Sequence, residues 1–141
     1  MLIDTHCHLD APEFDADRDA VLATARANGV GAIVIPAVFR REWDDAQALA
    51  DTHPDVYFAL GIHPLYVDDA ADDDLDALRQ RIEAVRHHPR LAGIGEIGMD
   101  HFVPGLDLVR QQRFFEAQLA MARDFDLPVI LHTRRSVDAV T

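Results

Sequence analysis

The sequence predicts a parallel α/β fold, and three observations predict it. Five short apolar segments alternate with four amphipathic helical patterns. The apolar segments show little polar alternation, as strands covered on both faces of a parallel sheet do. Turn-forming residues fall between the segments rather than inside them. The resulting order, β-α-β-α-β-α-β-α-β, implies parallel strands joined by right-handed crossovers. An open doubly wound sheet and a (β/α)8 barrel both satisfy it.

The first strand is read at residues 2–5. A helix over 17–28 carries Val21, Leu22 and Ala25 on one side and stops at Asn28-Gly29. The second strand, 32–36, precedes a helix over 41–52 with Trp43, Ala46, Leu49 and Ala50, which breaks at His53-Pro54. The third strand is 56–60, and the following helix, 74–88, places Leu75, Leu78, Ile82 and Val85 on one face before His88-Pro89. The fourth strand, 91–95, leads to a helix over 106–125 with Leu108, Phe115, Leu119 and Ala122. These are core-facing stripes. After Leu127-Pro128 comes the fifth strand, 128–131, with Ser136 placed as the N-cap of a further helix.

The 141 residues are 49% hydrophobic, which suits one domain. No apolar run approaches the roughly 20 residues of a membrane span, and no basic-then-apolar leader is seen. The single Cys7 has no partner for an internal disulfide. A cytoplasmic, reducing setting is expected. The formal charge is −12, from 25 acidic and 13 basic residues, and every basic residue is arginine. The cluster at Asp68, Asp69, Asp72, Asp73, Asp74 and Asp76 is read as a solvated loop and the acidic start of a helix. The acidic balance argues against a long groove holding many phosphates by charge alone. It leaves room for a small phosphate site built around bound cations.

Chemistry gathers at the strand ends. In MLIDTHCHLD, His6 and His8 are two residues apart on a strand, so their rings point the same way and Cys7 points the other. Gly61-Ile62-His63-Pro64 ends the third strand, Gly95-Glu96-Ile97-Gly98 the fourth, and His132 the fifth. Each histidine singly is well explained as a hydrogen-bonded structural group. Four imidazoles and one glutamate at the C-terminal ends of parallel strands, where active sites of both α/β architectures lie, point instead to a metal centre. Imidazoles with a carboxylate suit zinc, manganese, iron and similar ions. Glu96 has two oxygens, enough to bridge two ions, and the chain has no lysine to carbamylate for that purpose. Asp4 is read as either a support for a histidine ring or a strand cap, and Asp10 as a turn cap.

The four ordered motifs, residues 2–10, 61–64, 95–100 and 128–134, resemble the TatD family of metal-dependent hydrolases, which are amidohydrolase-like (β/α)8 TIM barrels. The resemblance runs over the whole chain and implies a deoxyribonuclease cleaving DNA phosphodiester bonds with water activated by two divalent ions; Zn, Mn, Mg, Fe and Ni are not distinguished. It implies metal ligation by His6, His8, Glu96 and His132, with Glu96 bridging. It places His63 and Arg134 near the substrate phosphate, so Glu96, His63 and Arg134 are the catalytic candidates. Gln111-Gln112 also match the family pattern and are assigned packing only. His101-Phe102 departs from the aromatic pair more usual after Asp100, a change on the substrate side rather than among the ligands. DNA or another phosphodiester is the expected partner, with no membrane and no obligate protein partner. Alternatives on the same scaffold are a D-aminoacyl-tRNA deacylase or a small-molecule amidohydrolase; outside catalysis, the alternative is a truncated metal- or partner-binding remnant.

A full barrel of this type needs eight β/α units and about 250 residues. Residues 1–141 are therefore expected to be the N-terminal portion, about five units, of a single TIM-barrel domain, and the family resemblance implies a further histidine and aspartate ligand beyond Thr141. A polypeptide limited to these residues is expected to bind metal poorly. Titration with zinc or manganese checks this, and two ions bound stoichiometrically at micromolar affinity would contradict it.

Overall fold

The computed structural model describes all residues, Met1–Thr141. Five strands, β1 (Leu2–Asp4), β2 (Val30–Pro36), β3 (Val56–Leu60), β4 (Leu91–Asp100) and β5 (Val129–Arg134), form one sheet. Helices α1 (Arg18–Ala27), α2 (Trp43–Thr52), α3 (Asp74–Val85) and α4 (Leu108–Phe125) connect them, and a last turn, α5 (Val137–Val140), follows β5. Short 3₁₀ turns at Pro12–Phe14, Arg40–Glu42 and Pro64–Tyr66 carry the chain away from the ends of β1, β2 and β3.

Every neighbouring pair of strands is parallel, and the spatial order is the chain order, β1-β2-β3-β4-β5. A doubly wound sheet reverses its strand order at a switch point. Here there is no reversal, so the sheet curls as part of a TIM barrel. That topology resolves the two architectures the alternation left open.

The core lies between the sheet and the helices. Ile33, Ile35, Val56, Phe58, Leu60 and Ile94 from the strands pack with Leu22, Trp43, Leu78, Ile82 and Phe114 from the helices, all buried. The helical stripes thus face inward as predicted, except at Leu108, which opens α4 on the surface, 43% exposed. The outer strands do not match the expected cover on both faces: Leu2 and Ile3 of β1 are 64% and 57% exposed, and Leu131 of β5 is 43% exposed. Each of these strands has a neighbour on one side only.

The fourth strand runs to Asp100, five residues past its expected end, so Glu96 lies within it. The Gly-Glu-Ile-Gly stretch reads as a terminus because glycine weakens strand propensity. Instead, Gly95 and Gly98 allow β4 to press against β5. A Cβ at Gly95 would sit 2.7 Å from the Ile130 Cβ, and one at Gly98 would overlap the His132 carbonyl oxygen; both glycines have positive φ, 157° and 145°. The pairing advances from Ile94↔Val129 to Ile97↔Leu131, which leaves one extra residue on β4. Such a bulge re-aims side chains beside active sites, and here it presents Glu96. Ser136 sits at the start of α5 without capping it: its hydroxyl donates to the Met99 carbonyl at 2.6 Å and accepts from the Arg134 N–H.

The segment after β3 has no sheet partner of its own on which to spend its backbone polar groups, so helix side chains pair with them. The Gln118 amide accepts from the Ile62 N–H at 2.7 Å and donates to the Ile62 carbonyl at 3.1 Å. The Trp43 indole N–H donates to the Gly61 carbonyl at 3.0 Å. Together they hold the backbone that carries His63. Gln118→Ala leaves both Ile62 groups buried without partners. It is expected to lower the free energy of unfolding by roughly 2–4 kcal/mol, measured by urea denaturation.

Candidate metal centre

The strand ends bring four imidazoles around one carboxylate. His6 and His8 leave β1 with their Nε2 atoms 3.3 Å apart. They lie beyond the strand's end at Asp4, in a segment kept beside β2 by the Cys7 N–H, which donates to the Val34 carbonyl at 3.0 Å. Both face Glu96 Oε2, at 3.1 Å from His6 Nε2 and 3.7 Å from His8 Nε2. The other oxygen, Oε1, faces His132 Nδ1 at 3.1 Å and His63 Nε2 at 3.6 Å. Two groups with metal-ligand spacing result, His6-His8-Glu96 and His63-Glu96-His132, and they share the glutamate.

Hydrogen bonds outside the cluster separate the two imidazoles of the second group. His132 Nε2 lies 3.0 Å from Asp100 Oδ2. A carboxylate in that place takes the Nε2 proton and leaves the Nδ1 lone pair facing Glu96. At His63 the arrangement is reversed. Its Nδ1 accepts the Leu65 N–H at 3.1 Å, so the ring proton resides on Nε2. A protonated ring nitrogen donates and does not coordinate. In this arrangement His132 offers a lone pair that could hold an ion, and His63, whose Nε2 is 2.9 Å from His132 Nδ1, offers a proton to the same space.

Burial and the contacts around Glu96 set the electrostatics of the cluster. Burial opposes ionisation of Glu96, but hydrogen bonds from His132 and His63 and the charges of His63 and His6 outweigh it and hold the carboxyl well below its ordinary range. The hydrogen bond to Glu96 raises the pKa of His132 against its own burial, and Asp100 adds to the effect. His8 is shifted down, chiefly by burial and then by its neighbour His6. Burial works against the charge of Asp100, and the N–H groups of Val103 and Phe102 with the His132 ring overcome it. Imidazoles grouped around a carboxylate are the donor set that borderline divalent ions take.

Asp100 was missed in the sequence because it follows a strand end that is not there. It is fully buried, and its N–H is accepted by Gln111 of α4 at 2.9 Å. Gln111 therefore does more than pack. Asp4 caps locally, accepting the His6 N–H at 3.1 Å. Arg134, one of the catalytic candidates, stands with its guanidinium carbon 3.7 Å from the Phe102 ring centroid, beside the cluster rather than in it.

A pocket of about 750 Å³ opens next to His8 and His63, and Asp10, Glu13, Asp15, Glu42 and Asp45 are among its lining. Asp10 Oδ1 has no hydrogen-bond partner. Burial, with Glu42 and Asp45 adding to it, pushes the Asp10 carboxyl up to about 6.

A family profile described as TatD related DNase matches residues 3–141. The uncharacterized metal-dependent hydrolase YjjV of Escherichia coli (strain K12) is 41% identical over 136 residues, covering 96% of this chain and 52% of the relative. The protein named 3'-5' ssDNA/RNA exonuclease TatD of Erwinia tasmaniensis is 33% identical over 136 residues, covering 96% of this chain and 51% of the relative. The crystal structure of the Escherichia coli YjjV protein superposes with a TM-score of 0.92 at 40% identity, over 99% of this chain and 53% of that one. The chain thus spans about half the length of the curated relatives it matches.

The raised Asp10 pKa has a sign that can be tested. A carboxyl that holds its proton more tightly when folded favours the folded state below its ordinary pKa of 3.8. That contribution is lost as pH rises through about 6. In metal-free protein, Asp10→Asn is therefore expected to raise Tm more at pH 8 than at pH 4.5, as read by thermal melts at both values.

Proposed function

The chain belongs to the TatD related DNase family, and from that premise we propose that it carries the strand-end half of a two-metal phosphodiesterase site acting on DNA or RNA strands. Its five strands are then the first five of a single (β/α)8 hydrolase domain, in which later strands complete the ligand set. The observation that carries this reading is the division of Glu96, with Oε2 toward His6 and His8 and Oε1 toward His132.

The residues present fit divalent ions by the chemistry of their donors. His6, His8 and Glu96 would hold one ion, and Glu96 and His132 the other. When bound, such ions polarise the phosphodiester and lower the pKa of a water. The chain's own groups do the remaining work. Asp100 keeps the His132 proton on Nε2, so that Nδ1 is free. Leu65 keeps the His63 proton on Nε2, where it can donate to a non-bridging phosphate oxygen as negative charge builds there. Arg134 adds a cation beside His132 for the same phosphate. A nuclease-named relative, the Erwinia tasmaniensis protein, supports a nucleic-acid substrate over amides or aminoacyl esters. No helix is long and apolar enough to cross a membrane, and the lone Cys7 fits a cytoplasmic setting.

Glu96→Gln keeps the shape but removes the charge and one acceptor. It is expected to reduce hydrolysis of a single-stranded oligonucleotide by at least ~100-fold. Retained activity would overturn the bridging role. Assays of the unsubstituted protein with DNA, aminoacyl-tRNA and a cyclic amide compare the substrate classes, and hydrolysis confined to either of the last two would overturn the nuclease reading.

A further inference from the structure

Arg134 and Arg135 are the arginines without a carboxylate. Every other arginine in the chain lies within ion-pair distance of an aspartate or glutamate. In a chain of net charge −12, leaving two adjacent guanidiniums unpaired goes against the general balance. Both stand against one ring: their guanidinium carbons lie 3.7 and 4.7 Å from the Phe102 centroid. Phe102 itself is 43% exposed. Cation–π attraction holds the guanidiniums to the ring, but it leaves their two like charges without a counter-anion, which a bound anion with a flat, apolar part would supply.

The arrangement is held from beneath. Asp100 Oδ1 accepts the Phe102 and Val103 N–H groups at 2.9 and 3.0 Å, while its Oδ2 faces His132. One buried carboxylate therefore sets both the ring of Phe102 and the candidate ligand His132. Ser136 fixes the turn on the other side through Arg134 N and Met99 O. Arg135 adopts φ of 54°, in the left-handed region that non-glycine residues seldom occupy. On the far side of the cluster, near His8 and His63, the pocket is lined with carboxylates, which repel phosphate. The two flanks of the centre thus differ in sign.

We propose that Phe102 and Arg135, linked by Arg134, form the landing for the single-stranded segment next to the cleaved bond. A base stacks on the Phe102 ring and Arg135 takes a backbone phosphate, so the strand leaves the metal centre over β5 and away from the acidic pocket. Base stacking on aromatic rings with arginine on the backbone is how single strands are held without sequence preference. The inference rests on the nucleic-acid reading above.

The test measures binding and chemistry separately. Anisotropy of a labelled oligothymidylate in EDTA reports binding without cleavage. Phe102→Ala and Arg135→Gln are each expected to raise Kd by about 10-fold. Arg135→Gln should also flatten the dependence of log K on log salt by about 0.7. Phe102→Trp, which keeps the stacking face, should bind as well as the parent, which separates lost stacking from misfolding. Metal-supported hydrolysis of bis(p-nitrophenyl) phosphate, too small to reach the landing, should stay unchanged in all three. Parent-like Kd and salt slope in Phe102→Ala and Arg135→Gln, or no oligonucleotide binding by the parent, overturns the landing. If the parent cleaves oligonucleotides while those variants bind normally, the landing falls and the nuclease reading stands. If binding depends on Phe102 and Arg135 but no oligonucleotide is cleaved, the landing stands and the nuclease reading falls.

Discussion

A single carboxylate facing two pairs of imidazoles is the constraint around which this structure is arranged. Glu96 is buried, and burial alone would keep it protonated. It stays ionised because imidazoles from three other strand ends converge on it: His6 and His8 after β1, His63 after β3, and His132 within β5. Those elements meet only if β4 carries a bulge and approaches β5 closely. The close approach in turn requires Gly95 and Gly98 on either side of Glu96. The geometry of the centre and the register of the sheet are thus one requirement.

The second layer works through hydrogen bonds rather than packing. Backbone groups of the segments leaving the strands are buried, and such groups need partners. Trp43, Gln111 and Gln118 supply them from the helices, at Gly61, Asp100 and Ile62. The same layer gives two neighbouring imidazoles different tasks. A backbone N–H on Nδ1 of His63 turns a protonated nitrogen inward, a carboxylate on Nε2 of His132 turns a lone pair inward, and these two nitrogens lie 2.9 Å apart. Asp100 is central here, because it also holds the backbone that presents Phe102.

Charge is unevenly distributed around the candidate metal centre. The chain is strongly acidic, its arginines are mostly neutralised by local carboxylates, and a pocket beside the cluster is lined with acids. Residues 1–141 thus offer little unpaired basic charge. The positive charge left without a carboxylate is that of Arg134 and Arg135, which lie together on the Phe102 ring.

Much of this was open to reading from local pattern. Helical stripes such as Leu78, Ile82 and Val85 repeat at a period that marks the buried face, and all three are buried. The His6-x-His8 spacing foretold two rings facing one way, and both do face Glu96, although β1 ends at Asp4 before them. Local pattern misjudged β4, because glycines that normally weaken a strand here permit its closest contact. It passed over Asp100, whose partner His132 is distant in sequence, and it placed Ser136 as a cap when its hydroxyl bonds Met99 and Arg134 instead. Periodicity and residue chemistry by themselves determined which segments are strands and helices and which side chains could bind cations. Strand order, the bulge at Glu96, the proton positions on His63 and His132, and the placing of Arg134 and Arg135 on Phe102 were decided by tertiary structure, because each depends on a partner brought close in space by the closing of the sheet.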